Sequence, residues 1–291
     1  MKVAFVGLGV MGFPMAGHLA KAGHDVTVFN RSPQKAQAWA EQHPGAAVAT
    51  VAEAAAGAEI VFLCVGNDDD VRGVVAQALP TMAAGAIIVD HTTTSAKVAR
   101  EMAELAGQGG RWFIDAPVSG GQAGAENGQL TVMCGGDPAA FARAEPVIAA
   151  FAKATRLMGG PGAGQLTKMV NQICIAGVVQ GLAEGMHFAK RAGLDPLEVA
   201  AAISKGAAQS WQMDNRWTTM AENRFDFGFA VDWMRKDLGL VLDEAQANGA
   251  KLDMTALVDG YYAEVQAMGG NRWDTSSLVA RLERPEDNGA G

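Results

Sequence analysis

Lys168 stands three and four residues ahead of Asn171 and Gln172, in the run Gly162-Ala163-Gly164-Gln165-Leu166-Thr167-Lys168-Met169-Val170-Asn171-Gln172. On a helix this spacing gathers an ammonium and two carboxamides on one face of an otherwise apolar segment. A lysine drawn partly out of water releases its proton more readily. Its ammonium can then protonate a developing alkoxide, and its amine can take the proton back in the reverse direction. A lysine whose stem lies along a buried helix while its head reaches solvent accounts for the same letters.

A second constellation is Asp115-Ala116-Pro117-Val118-Ser119-Gly120-Gly121, continuing through Gly124, Ala125 and Gly128 into Leu130-Thr131-Val132-Met133. Ser119, Gly120 and Gly121 follow a candidate strand, where open α/β sheets bind ligands. Exposed backbone N–H groups and one hydroxyl there form a receptor for a carboxylate. A glycine-rich connection that only satisfies turn geometry fits equally.

The third lies at the N-terminus. Val3-Ala4-Phe5-Val6 reads as a buried strand, Gly7-Leu8-Gly9-Val10-Met11-Gly12 as a tight turn, and a helical pattern begins near Phe13. Gly7 permits the turn, Gly9 lets backbone approach a pyrophosphate, and Gly12 lets helix and strand pack closely. The helix start then offers its N–H groups to phosphate. The next strand ends at Asn30, where an NAD enzyme usually places a carboxylate for the ribose 2′-hydroxyl. Arg31 and Ser32 follow and suit a 2′-phosphate, so the expected cofactor is NADP rather than NAD.

These groups need a scaffold. From Lys2 to about Gly160, candidate strands Val3–Gly7, Asp25–Asn30, Ala46–Thr50, Glu59–Val65, Ala86–His91, Trp112–Pro117 and Leu130–Gly135 alternate with helical patterns. The helices are Gly12–Ala22, Gln34–Gln42, Val71–Met82, Lys97–Ala106 and Ala139–Ala152. Alternation at this spacing predicts βαβ units, hence an α/β fold of Rossmann type with a mainly parallel sheet and helices on both faces. After the Gly/Pro-rich run Gly159–Gly164 the strand signal stops. The expected domains are a cofactor-binding domain over residues 1–161 and an all-helical domain over 162–291 for substrate binding and oligomerisation. Helices are expected over Gln165–Ala192, Pro196–Lys205, Ala230–Asn248 and Thr255–Met268, with Arg284–Gly291 frayed. Gln165–Ala192 is apolar or small nearly all round, which predicts burial on several sides and a homodimer or homotetramer.

Composition narrows the partners. The 291 residues carry a formal charge of −8 and are about half apolar, with no Lys/Arg-rich stretch, so nucleic acid is not an expected partner. No uninterrupted apolar segment reaches the roughly 18 residues of a membrane span. The apolar N-terminus is better explained by the phosphate-binding turn than by a leader peptide. Cys64, Cys134 and Cys174 are odd in number and set in apolar surroundings, which predicts buried free thiols and a cytoplasmic protein. His18, His24, His43, His91 and His187 have no ligand spacing, so no metal is expected. By periodicity Lys236 lies off the stripe of Met234, Leu238, Val241 and Ala245, on a solvated face.

Taken in order, Gly7–Gly12 with Pro14-Met15-Ala16, the loop from Asp115 to Gly128, the glycine-rich lead into Lys168 and Lys236-Asp237 resemble the β-hydroxyacid dehydrogenase family, which includes 3-hydroxyisobutyrate dehydrogenase and tartronate semialdehyde reductase. The likeness spans nearly the whole chain. It implies that a short hydroxy acid and its semialdehyde or keto form are interconverted with NADP, with Lys168 as the acid/base. Ser119, Gly120 and Gly121 would hold the substrate carboxylate, with Asn171 and Gln172 beside them. Thr93 and Lys236 would reach the cofactor, which moves Lys236 off its solvated face. Val65, closing the candidate strand Glu59–Val65, completes the cofactor set. Many relatives have a second Asn where this chain has Gln172. Asn30-Arg31-Ser32 resembles the NADP-preferring members. Relatives that have lost the lysine only bind cofactor, and similar imine reductases place Asp or Tyr at the position of Lys168. Ser210-Trp211-Gln212-Met213 and Phe225-Asp226-Phe227 are expected to be mostly helical-domain core.

Overall fold

The computed structural model describes residues 1–283; the tail expected to fray, Arg284–Gly291, lies outside them. Nine strands and thirteen α-helices are found among the described residues. The strands are β1 (Lys2–Val6), β2 (Asp25–Phe29), β3 (Ala46–Ala47), β4 (Ile60–Leu63), β5 (Ile87–Asp90), β6 (Trp112–Asp115), β7 (Val118–Ser119), β8 (Leu130–Gly135) and β9 (Ala152–Gly159). The helices that alternate with them are α1 (Gly12–Lys21), α2 (Pro33–Gln42), α3 (Val51–Ala55), α4 (Asp68–Ala78), α5 (Ala96–Gln108), α6 (Gly121–Glu126) and α7 (Pro138–Ile148).

The sheet runs β3-β2-β1-β4-β5-β6-β8-β7, with β9 also paired to β8. β3 through β6 are parallel, while β6 and β7 meet β8 antiparallel. The order 3-2-1-4-5-6 is that of a dinucleotide-binding sheet. The inner strands lack polar alternation because both faces are covered. Val3, Phe5, Val28, Ile60, Phe62 and Val89 pack on one side with Met15, Leu19 and Trp39. Ala4, Val6, Val61, Leu63 and Ile88 pack on the other with Val71, Val75 and Val98. Capping fixes the helix starts: Asn67 Oδ1 accepts from Asp70 N–H at 2.9 Å, and Ser95 Oγ from Val98 N–H at 3.0 Å.

Three expectations of local structure are corrected. The helix expected over Ala139–Ala152 stops at Ile148, and Ala152–Gly159 is a strand in parallel register with β8. Its Ala, Lys and Arg have weak strand preference, and only the β8 edge holds them extended. The expected strand Ala46–Thr50 shortens to two residues because Thr50 Oγ1 accepts from Glu53 N–H at 3.1 Å and starts α3 instead. Ser119 does not simply follow β6; it lies in the separate strand β7, opposite Thr131.

The chain forms two compact units, Met1–Lys168 and Met169 onward. The second contains most of α8 (Ala163–Arg191), then α9 (Pro196–Ile203), α10 (Trp211–Ala221), α11 (Val231–Asn248), α12 (Asp253–Ala267) and α13 (Leu278–Leu282). Its core joins Ala176, Val179, Met186, Trp217, Leu238 and Tyr262. Met213 and Phe225 belong to it, whereas Trp211 is exposed under the Arg216 guanidinium, 4.8 Å from its ring centre. α8 is less enclosed within one chain than its composition predicts. Val170, Cys174, Val178 and Phe188 are exposed along it, Phe188 by 72%. None of the three cysteines forms a disulfide, but only Cys134 is buried: Cys64 is half-buried, and Cys174 lies on that open stripe. No helix among the described residues is long and apolar enough to cross a membrane.

Candidate active site

The carboxyl ends of β1, β4, β5 and β6 adjoin in the sheet, and the chemistry-bearing residues of the first unit collect around them. Gly7 has φ +98°, and a Cβ there would lie 2.2 Å from the Cys64 carbonyl oxygen. A Cβ on Gly12 would lie 2.0 Å from the Gly7 oxygen, whereas one on Gly9 would meet nothing within 4 Å. The turn is thus closed where helix meets strand and open where a pyrophosphate would approach. Met11, the residue before α1, gives no side-chain cap. Phe13 N–H donates to the Gly9 carbonyl at 3.0 Å, Met15 N–H to the Met11 carbonyl at 3.3 Å and Pro14 has no N–H, so of the first turn it is the Gly12 N–H that remains for an anion. Leu8 is buried and Val10 exposed.

Asn30 is used structurally. Its Oδ1 accepts from Leu8 N–H at 2.8 Å, and its Nδ2 donates to the Ser32 carbonyl at 3.1 Å, tying the glycine turn to the β2–α2 loop. Beside it the Arg31 side chain is 92% exposed, with Nη1 3.9 Å from Asp70 Oδ1. Asp70 is a carboxylate that β2 itself does not reveal. Its other oxygen accepts from Gly66 N–H at 3.2 Å. Val65 N–H donates to Thr92 Oγ1 at 3.0 Å, joining the end of β4 to the Thr92-Thr93-Thr94 segment after β5.

Two buried carboxylates sit at neighbouring strand ends, Asp90 on β5 and Asp115 on β6, in register with each other. Burial pushes Asp90 up to about 7, partly offset by the Thr92 hydroxyl and N–H. Burial pushes Asp115 up to about 6, offset by backbone N–H groups: Gly162 donates to Oδ1 at 2.8 Å and Gln165 to Oδ2 at 2.9 Å. The His91 imidazole is pushed down to about 4 by burial; its Nδ1 lies 2.7 Å from the Ala116 carbonyl.

Asp90 makes stability depend on pH. Its carboxyl is protonated more readily folded than unfolded, so its contribution is full below about pH 4 and is lost as pH rises through about 7. Asp90→Asn, which mimics the neutral acid, is expected to flatten that slope, which is worth at most about 4 kcal/mol. Urea unfolding of both proteins at pH 5 and pH 8 measures it; equal slopes would refute the assignment.

Lys168 lies on α8, one turn after Gln165, and is 8% exposed. The segment leading to it is fastened from two sides. Asp115 holds the helix start, and the fully buried Gln165 amide accepts from Thr94 N–H at 3.0 Å and donates to the Thr92 carbonyl at 2.7 Å. The substrate-loop glycines are exposed, with φ 131° at Gly120 and 61° at Gly121, and Ser119 just before them is half-buried. His18 on α1 reaches α6 behind them, its Nε2 lying 3.1 Å from the Ala125 carbonyl and 3.0 Å from that of Glu126.

In the second unit Asn171 Nδ2 donates to Gln172 Oε1 at 2.8 Å, and Gln172 Nε2 to Asp237 Oδ2 at 2.7 Å. Lys236 Nζ is 3.3 Å from Asp237 Oδ1, with its side chain only 27% exposed. The structure therefore places Gln172 as a buried bridge and takes Lys236 off the solvated face that periodicity gave it. The first unit brings together Gly7–Gly12, Asn30, Arg31, Ser32, Val65 and Thr93, with Ser119–Gly121 and Lys168 on the same sheet end; Asn171, Gln172 and Lys236 form their own group in the second. Asp70, Asp115, Gln165 and Asp237 were not singled out by sequence. Asp115, Gln165 and Asp237 stand inside quoted motifs, but their partners are distant in the chain. No cluster of His, Cys, Asp and Glu able to hold a metal is found among the described residues.

The sheet order and glycine turn define a dinucleotide-binding protein. A family model described as the NAD binding domain of 6-phosphogluconate dehydrogenase matches residues 2–160, and one described as NAD-binding of NADP-dependent 3-hydroxyisobutyrate dehydrogenase matches residues 162–282. The chain belongs to the β-hydroxyacid dehydrogenase family and is an NAD(P)-binding enzyme of the 3-hydroxyisobutyrate dehydrogenase-like type. It is 66% identical to an uncharacterized oxidoreductase of Shewanella frigidimarina, covering 97% of this chain and 98% of that one. It is 36% identical to the 2-hydroxy-3-oxopropionate reductase of Escherichia coli, covering 97% of each. Among solved structures, a Mycobacterium tuberculosis 3-hydroxyisobutyrate dehydrogenase with L-serine superposes with a TM-score of 0.89 at 33% identity, covering 97% of this chain and 99% of that one.

Proposed function

We propose that the protein interconverts a short β-hydroxy acid and its semialdehyde or keto form with NADP, and that Lys168 moves the proton. The observation that supports this most strongly is the 8% exposure of Lys168 on a helix fastened to the ends of β5 and β6. The open face of Gly9 and the Gly12 N–H at the start of α1 fit a pyrophosphate; Arg31 and Ser32 would take a 2′-phosphate, with Val65 and Thr93 completing the set in the first unit. NADPH supplies the hydride when bound. The Lys168 ammonium gives a proton to the oxygen of the carbonyl being reduced, and in oxidation the amine recovers it from the hydroxyl. The Ser119 hydroxyl with the Gly120 and Gly121 N–H groups binds the substrate carboxylate and fixes the reacting carbon beside Lys168. In the second unit the Asn171 carboxamide is held by Gln172, which Asp237 holds in turn, a group suited to a polar ligand.

Relatives named for 2-hydroxy-3-oxopropionate and 3-hydroxyisobutyrate, acids of three and four carbons on a three-carbon main chain, support a short substrate with a carboxylate. NADPH oxidation is expected with short semialdehyde acids and to fall at least about 100-fold with their methyl esters, which lack the charge that the loop binds. Arg31→Ala is expected to weaken NADPH about tenfold or more with little change for NADH, because only NADPH has the 2′-phosphate. Fluorescence titration of both cofactors measures this. Equal losses would remove the NADP assignment, and undiminished ester turnover would remove the carboxylate anchor.

A further inference from the structure

Among the described residues, Gln165 is the one buried amide whose two ends are both used by a single short segment of the cofactor side: Oε1 accepts from Thr94 N–H at 3.0 Å and Nε2 donates to the Thr92 carbonyl at 2.7 Å. It is fully buried, a place where an apolar side chain would fill the volume without the cost of desolvating an amide. The two bonds straddle Thr93. Thr92 is itself held from behind, its N–H donating to Asp90 Oδ1 at 2.9 Å and its hydroxyl accepting from Val65 N–H at 3.0 Å. Gln165 precedes Lys168 by three residues, so both side chains rise from the same face of α8. Asp115 fixes the backbone of that turn through Gly162 N–H and Gln165 N–H, but it does not touch the Thr92–Thr94 segment in any of these bonds. The amide is therefore the direct link between the lysine's helix and the loop expected to meet the nicotinamide.

We propose that Gln165 is a positioning residue that sets the register of Lys168 against the Thr92–Thr94 segment, so that proton donor and cofactor are held in fixed relation before substrate arrives. This rests on the reading of Lys168 as the proton-transfer group. An amide does this better than a carboxylate, because one end must donate and the other accept. A carboxylate at the same place would turn an acceptor oxygen toward the Thr92 carbonyl. Protonation would restore the donor. Misplacing a reacting group by about 1 Å is enough to cost on the order of 100-fold in rate.

The test uses Gln165→Met, close in volume and without the amide, and Gln165→Glu. With Gln165→Met, kcat is expected to fall about 30-fold or more while the Kd for NADPH stays within about threefold, and the primary isotope effect from 4-deuterated NADPH is expected to grow as hydride transfer becomes limiting. With Gln165→Glu, kcat relative to wild type is expected to be low at pH 8 and to recover as pH falls toward 5.5. Asp90 on β5 with His91 beside it, Asp68 on α4, which accepts from Ser95 N–H at 3.0 Å, Asp115 on β6 and Lys168 on α8 are the titratable groups of the elements joined to this segment, so the ratio to wild type at each pH is what is read. A Gln165→Met enzyme with wild-type kcat and isotope effect overturns the proposal. So does a Gln165→Glu enzyme whose deficit is the same at every pH, since a packing defect would behave that way. Lys168→Ala in parallel separates the two readings: if it stays active, the proton-transfer assignment is what fails; if it is inactive while Gln165→Met is unimpaired, only the positioning role fails.

Discussion

Lys168→Ala is expected to lower kcat by about 10³-fold with NADPH affinity nearly unchanged, the largest kinetic effect of any single side chain in this protein. General acid/base groups contribute about 10²–10⁴-fold, and a site shielded to this degree admits little water to replace the lost ammonium. Lys168→Arg should be almost as slow. A guanidinium keeps the positive charge but does not give up its proton at working pH, so charge alone is not the requirement. Small primary amines added to Lys168→Ala should restore part of the rate, because the truncated side chain leaves room for one. Steady-state kinetics with and without methylamine decides this. A Lys168→Ala enzyme within tenfold of wild type, or one whose deficit lies wholly in NADPH binding, would transfer the proton chemistry to another group.

The parts of this arrangement that sequence discloses are those whose physics is local. The glycine turn is legible because strand, tight turn and helix start are consecutive, and the close approaches at Gly7 and Gly12 follow from that geometry. The parallel sheet is legible because its buried strands are short β-branched runs between amphipathic helices. β9 is not, since its Ala-Lys-Ala-Thr-Arg residues become a strand only through pairing with β8. Gln165 and Asp115 stand within quoted motifs, yet their roles depend on partners 47 to 73 residues away. Lys236 misleads in a different manner: off its helix's apolar stripe, it is drawn in by the buried carboxylate of the very next residue. Asp70 illustrates the limit for cofactor choice. Asn30 correctly marks the absence of a carboxylate at the end of β2, but the chain returns one to Arg31 from the start of α4.

Gly164→Ala is expected to disable the enzyme while leaving the nucleotide turn untouched. A Cβ at Gly164 would lie 2.4 Å from the Met133 carbonyl oxygen, 2.6 Å from that of Asp115 and 2.8 Å from Asp115 Oδ2. Two of these are backbone atoms of β8 and β6, which cannot swing aside as a flexible side chain would. The start of α8 must therefore lift from the sheet, stretching the bonds from Gly162 and Gln165 to Asp115. Overpacking of this kind costs about 1–3 kcal/mol of stability, visible as a lower unfolding midpoint. The kinetic loss should be larger than the stability loss suggests. Lys168 is one turn further along the same helix, so a shift of about 1 Å at Gly164 reaches the reacting group and costs about 100-fold in kcat. NADPH affinity should change little, because Gly9, Gly12 and Arg31 lie on other elements. Gly164→Ala with normal kcat would show that α8 tolerates displacement from the sheet, and that the lysine does not depend on this close approach. A loss confined to NADPH binding would instead place the coupling between helix and cofactor somewhere other than the Asp115 anchor.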